Sequence, residues 1–126
     1  MKKPLEETPD PSTLLPLTPA VFHILLALAG GECHGYGIMQ EVDRVTGGQL
    51  SLGPGTLYRS IQRMLLEGLI EELKDAHDSE SDDDRRRNYR LTAFGREVAR
   101  AESRRLETLV EAARERKLLS NGTDVR

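Results

Sequence analysis

The chain has 126 residues, 37% of them hydrophobic and 31% charged, with a formal net charge of -3, which fits one globular domain and gives no overall pull toward nucleic acid. Aromatics are only 4% and tryptophan is absent, so a Leu- and Ala-built helical protein is expected rather than a β-sandwich rich in aromatic and β-branched strands. The single cysteine, Cys33, excludes an intramolecular disulfide and a cysteine-cluster zinc site. No apolar run approaches the ~20 residues of a membrane span, and Pro4, Pro9, Pro11 and Pro16 interrupt any signal-peptide core. A cytoplasmic protein without membrane attachment is the expectation.

Residues 1–17, proline-rich and without period, read as a flexible arm. A first helix is expected from Thr18-Pro19, with Thr18 as cap and proline at the first helical position. Val21, Ile24, Leu25 and Leu28 form its buried stripe, and Gly30-Gly31 stops it. A second helix over 35–46 places Ile38, Val42 and Val45 on one face and ends at Gly47-Gly48. Residues 49–52 read as extended. A third helix starts at Gly53-Pro54, buries Leu57, Ile61, Met64 and Leu65, and closes at Gly68 with a left-handed cap that folds Leu69 back on Met64.

Two strands follow, 69–74 and 88–91, around a polar tip: a β-hairpin with a long loop. Thr92 then caps a long helix over about 93–117. Its apolar positions Phe94, Val98, Ala101, Leu106, Leu109, Val110 and Ala113 exceed what three short helices can cover, so a partner helix is implied. Three helices, a hairpin and a further helix are the order of a winged helix-turn-helix. The expected class is mainly α, with a domain at 18–91, a dimerisation helix at 92–119 and a disordered tail at 120–126.

With the third helix's apolar stripe inward, Thr56, Arg59, Ser60 and Arg63 share its outward face, free of acid until Glu67. Arginine pairs with guanine edges or phosphates and hydroxyls with either. The backbone at Gly55 and Thr56 offers N–H groups to a phosphate, and glycine permits close approach. The bland alternative is a solvated helix face.

In the hairpin, Arg85, Arg86, Arg87 and Arg90 suit phosphates or a minor groove. Asp75, Asp78, Glu80, Asp82, Asp83 and Asp84 oppose them, so internal pairing is the competing reading. If the acids instead hold the wing off non-specific DNA, replacing Asp82, Asp83 and Asp84 by Asn raises non-specific affinity.

His34-Gly35-Tyr36-Gly37, Leu52-Gly53-Pro54-Gly55-Thr56-Leu57-Tyr58, Leu65-Leu66-Glu67-Gly68-Leu69-Ile70 and Arg87-Asn88-Tyr89-Arg90-Leu91-Thr92, with Gly95 after them, together resemble the PadR family of bacterial transcriptional regulators over about 18–117. The resemblance implies a homodimeric winged-helix regulator, usually a repressor, on palindromic double-stranded DNA, with the long last helix and the N-terminal region forming the dimer. The single C-terminal helix matches the family's short form. The resemblance places Tyr58, Thr56, Arg59, Arg63, Arg86 and Arg87 at the DNA. It also implies a small-molecule effector, although the five aromatic residues present make no aromatic sandwich of the kind some relatives use. Gly53 departs from a common serine, and the acidic wing tip departs from a Gly-Pro-rich one.

Cys33-His34, with His23 and His77, lacks the regular four-ligand spacing of a zinc site and reads as a helix start with local hydrogen bonds. Cys33 as a thiol sensor has no sequence support; Tyr36 and Tyr58 could each be core aromatics, the reading kept for Tyr36, while the resemblance favours a DNA contact for Tyr58. No nucleophile–base pair or phosphate loop appears, so neither an enzyme nor a cofactor is expected. The rival from another class is a winged-helix protein-interaction module without DNA binding, motivated by the acidic wing.

Overall fold

The computed structural model describes residues 9–73 and 87–120. Four helices, α1 (Pro19–Ala29), α2 (Gly35–Thr46), α3 (Pro54–Leu66) and α4 (Ala93–Glu115), enclose a small sheet of β1 (Cys33–His34), β2 (Ile70–Leu73) and β3 (Asn88–Leu91). The sheet is antiparallel in the order β1-β3-β2. The fold is a winged helix-turn-helix.

Local chemistry explains the element ends. Thr18 Oγ1 accepts from the amide of Val21 at 3.2 Å and Pro19 opens α1, which satisfies one of the otherwise orphan N–H groups of a first turn. His34 caps α2: its Nδ1 accepts from the amide of Gly37 at 3.0 Å. Gly53 caps α3 without a side-chain bond. At the other end Gly68 takes φ +79°, and the amide of Leu69 donates to Met64 O at 2.9 Å, the Schellman ending expected of that glycine.

The core joins α1, α2, α3 and the start of α4. Ile24, Leu25, Ile38, Leu57, Met64, Leu69 and Val98 are fully enclosed. Each such side chain contributes about 1.5–3 kcal/mol of transfer free energy. Thr92 locks α4 to the α3–β2 turn: its hydroxyl donates to Gly68 O at 2.6 Å and accepts from the amide of Gly95 at 2.9 Å. A β-carbon on Gly95 would overlap the carbonyl of Leu69, so only glycine lets α4 approach this closely.

Several expectations are corrected. Of residues 49–52, expected as extended, Gln49 and Leu50 bend instead, and Leu50 donates its amide to Thr46 Oγ1 at 3.1 Å. The third strand, β1, was not anticipated, because a two-residue strand has no readable period. Val45 is exposed rather than inward. The arm is docked from residue 9 onward: Pro11–Leu14 makes a 3-10 turn capped by Asp10, and Leu14, Leu15 and Leu17 pack on the core. The amide of Leu17 donates to Glu102 Oε2 at 3.2 Å. Burial of three leucines, not proline stiffness, decides the arm's position.

Glu102 is the one charged side chain buried among the described residues. Arg105 reaches it through two hydrogen bonds of 2.6 and 3.0 Å. Those bonds first, and the Leu17 amide in support, hold its carboxyl below the usual range against the opposing effect of burial. A buried charge is tolerated only when paired and hydrogen-bonded in this way.

Candidate nucleic-acid interface

The apolar stripe of α3 turns Leu57, Ile61 and Met64 fully inward. The opposite side therefore meets solvent: Gly55, Thr56, Arg59 and Arg63 are exposed, and Ser60 is half-buried. A rigid core thus holds two arginines and a hydroxyl one and two turns apart along a single face. A β-carbon built on Gly55 would lie 3.8 Å from Arg59 Nη2, so the Arg59 guanidinium reaches back toward the first turn. It shares that end of the helix with the free N–H groups, an arrangement suited to a phosphate.

Arg63 is partly engaged, donating to Glu67 Oε2 at 3.3 Å along the helix. Both groups are substantially exposed, and such a pair is worth only about 0–1 kcal/mol. Breaking it costs little.

Tyr58 departs from its expected place. Its hydroxyl oxygen is closed to solvent, and the ring lies against Gly35 at the start of α2. In this conformation Tyr58 is a helix-packing residue and presents no hydroxyl to DNA. The reason is its position beside the buried stripe, three residues before Ile61 and seven before Leu65. Tyr36, expected in the core, is 51% exposed. It sits two residues before Ile38, off the buried stripe of α2, so its phenol faces solvent at that helix's first turn. The spacing that exposes Tyr36 and half-buries Tyr58 is present in the sequence; for Tyr58 the family resemblance points the other way.

On the wing, Arg90 Nε meets Glu71 Oε2 at 2.6 Å, directly across the β2–β3 register. Arg87 Nε lies 3.5 Å from Glu72 Oε2. Internal pairing does occur with acids of β2; the expected pairing with the acidic tip falls outside the described residues. Arg85, Arg86 and the acidic positions 75–84 lie outside the described residues.

Cys33 is half-buried, its sulfur beside Gly37. Burial, and then the nearby Glu41 carboxylate, push its thiol up, which works against a reactive thiolate. Among the described residues no group of three or more His, Cys, Asp or Glu is arranged to hold a metal ion, and no helix is long and apolar enough to cross a membrane.

The residues expected at a dimer interface divide in two. Val98 is fully enclosed by the chain's own core and Phe94 packs against that core, so Val98 is corrected from partner contact to core residue. It lies in the first turns of α4, the helix that contacts α1. Ala101, Leu106 and Ala113 are half-buried. Leu109 and Val110 are 53% and 37% exposed, and beyond the helix Leu118 and Leu119 are exposed as well.

The chain is similar to known proteins over much of its length. Residues 24–101 match the family described as "Transcriptional regulator PadR-like family". The chain is 38% identical over 87 residues to "Transcriptional regulator Rv3488" of Mycobacterium tuberculosis, covering 69% of this chain and 75% of that protein. It is 34% identical over 86 residues to an uncharacterised 37.1 kDa protein of transposon Tn4556 from Streptomyces fradiae, covering 68% of this chain but only 22% of that protein. Among solved structures, a PadR family transcription regulator from Clostridium difficile R20291 aligns with a TM-score of 0.63 at 21% identity, over 78% of this chain and 97% of that one. A transcriptional regulator from Clostridium thermocellum aligns at 0.62 and 22% identity, over 76% and 87%.

Proposed function

Because the chain belongs to the PadR-like family of transcriptional regulators, whose members regulate transcription and are not enzymes, we propose that it represses transcription as a homodimer on a palindromic operator. Each protomer sets α3 into a major groove, with Thr56, Arg59, Ser60 and Arg63 toward the bases and phosphates and Gly55 at a phosphate. The wing, with Arg86 and Arg87, lies alongside. Two α3 helices then stand about one helical turn, roughly 34 Å, apart.

The observation that carries the reading is the solvent face of α3. It holds two arginines and a threonine, has no acid before Glu67, and is backed by a fully buried stripe. The exposed Leu109 and Val110 support pairing through α4. A cytoplasmic location follows from the role. A small-molecule effector releases the operator by binding one spacing of the dimer better than the other, since only unequal affinity shifts such an equilibrium. One structural neighbour, BpsR of Bordetella bronchiseptica, has its DNA binding regulated by 6-hydroxynicotinic acid.

Fluorescence anisotropy tests the proposal, comparing DNA from upstream of the protein's own gene with a scrambled duplex at two salt concentrations. Tighter binding to the upstream duplex, with a steep salt slope, supports it, and the slope counts the phosphates engaged. Equal weak binding to both, together with a monomer in sedimentation, overturns it in favour of a protein-interaction module.

A further inference from the structure

We propose that the docked arm is part of the nucleic-acid surface: with α3 it forms a groove that seats the sugar–phosphate backbone of one DNA strand. This seat rests on the regulator reading and adds the arm to it. Leu14, Pro16, Leu17 and the α1 cap Thr18 line one side of the groove, and Arg59, Ser60 and Arg63 of α3 line the other. Its volume is about 300 Å³, the bottom of the ~300–1,000 Å³ range of small-molecule sites. Because it borders the exposed face of α3, a long polymer can lie in it.

The two walls differ in chemistry. The arm side is apolar apart from the Thr18 hydroxyl, and the α3 side is cationic. A nucleic-acid strand alternates in the same way, with the apolar faces of deoxyribose between phosphates. Among the described residues, Arg59 has no carboxylate within ion-pair distance. Arg63 has its exposed pair with Glu67, the acid of the lining. Thr18 Oγ1 accepts from the amide of Val21, which leaves its own proton to donate to a phosphate oxygen. An acidic protein segment would also satisfy the arginines, but the groove continues the α3 face proposed for DNA, and one strand serves both.

Glu102 is the positioning residue of this wall. The amide of Leu17 donates to its Oε2 at 3.2 Å, and Arg105 offsets its charge. A buried ion pair is a weak source of stability; here it fixes the arm's backbone at the residue next to Thr18. α4 thereby holds one wall of a groove whose other wall is α3.

Anisotropy with the upstream and scrambled duplexes tests the groove, since a backbone contact is independent of sequence. Thr18→Asp and Thr18→Asn both keep a capping side chain and differ in charge, so their melting temperatures should agree. Thr18→Asp should bind both duplexes about fivefold more weakly than Thr18→Asn. Glu102→Gln, which frees the arm without adding charge, should weaken both duplexes by an equal factor, about threefold. Its salt slope should stay unaltered, because the arm brings no cation to the groove. Equal affinities of Thr18→Asp and Thr18→Asn, or an unaltered affinity in Glu102→Gln, overturn the proposal. A loss confined to the upstream duplex makes the arm a support for α3 and also overturns it. Thr18→Asp that shifts the sedimentation coefficient with DNA affinity unaltered assigns the groove to a second copy, against the proposal. A parent chain that binds neither duplex overturns the regulator reading and the groove with it.

Discussion

The hydroxyl of Tyr58 occupies the space that a β-carbon on Gly35 would need, and its Cζ stands 2.9 Å from that point. The contact joins α2 to α3 at the corner of the helix-turn-helix, so a residue placed at the DNA by resemblance is engaged in holding α3 at its angle. Gly35→Ala should therefore destabilise the fold by about 1–3 kcal/mol through overpacking. Chemical denaturation of the two single variants and the double Gly35→Ala/Tyr58→Phe measures the coupling. Strict additivity would show that the pair does not touch.

Gly95→Ala is expected to cost more than Gly35→Ala. The added carbon meets the backbone carbonyl of Leu69, which has no rotamer to change, whereas Tyr58 is a side chain that can shift. Melting curves of the two variants under one condition rank them directly, and the opposite order would contradict the packing described at the α3–β2 turn.

Glu102 sets an acid limit. Its carboxyl is held below the ordinary range in the folded chain, chiefly by Arg105. Its stabilisation is therefore fully present above the unfolded-state value of about 4.3 and disappears as the pH falls through the lower folded value. The arm should loosen first, because protonation weakens the bond from the Leu17 amide. The protection factor of the Leu17 amide against hydrogen exchange should fall as the pH drops below the unfolded-state value and through the lower folded one. In Glu102→Gln it should already be low at neutral pH.

The two arginines of α3 should behave differently. Arg59→Ala is expected to lose about 1–3 kcal/mol of specific DNA affinity if the side chain reads a base, and a uniform loss over all sequences marks a phosphate contact instead. Glu67→Gln releases Arg63 from its intrahelical partner and should raise affinity for any duplex while steepening the salt slope. Anisotropy on matched and scrambled DNA separates the two behaviours.

Leu109→Glu with Val110→Lys tests the exposed half of α4. Both side chains face solvent in the single chain, so the variant should fold with an unchanged circular dichroism spectrum yet sediment as a monomer. A variant that remains dimeric moves the interface elsewhere, with Leu118 and Leu119 the next surface to probe.

Most helices were legible because their signals are local. Thr18, Gly68 and Thr92 act through neighbours a few residues away, and the stripes of α1 and α3 repeat with the helical period. What escaped depends on contacts between distant residues. Cys33 and His34 become a strand only by pairing with Tyr89 and Asn88. The arm docks because Leu14, Leu15 and Leu17 reach a core made elsewhere in the chain and Glu102 accepts the Leu17 amide. Val98 belongs to the core because the Gly95 approach brings the start of α4 against Leu69 and the α3–β2 turn. The polar face of α3 was readable from spacing alone, while the engagement of Arg87 and Arg90 by Glu72 and Glu71 needed the hairpin register.

The two-residue strand β1 also dictates the order in which the domain can be completed. During synthesis α1, α2 and α3 leave the ribosome first, but the edge exposed by Cys33 and His34 stays unpaired until Asn88 and Tyr89 arrive much later. Unpaired strand edges invite association with other chains. The nascent domain thus carries an adhesive seam until the wing returns, and truncations ending before residue 88 should aggregate rather than persist as an independent three-helix unit.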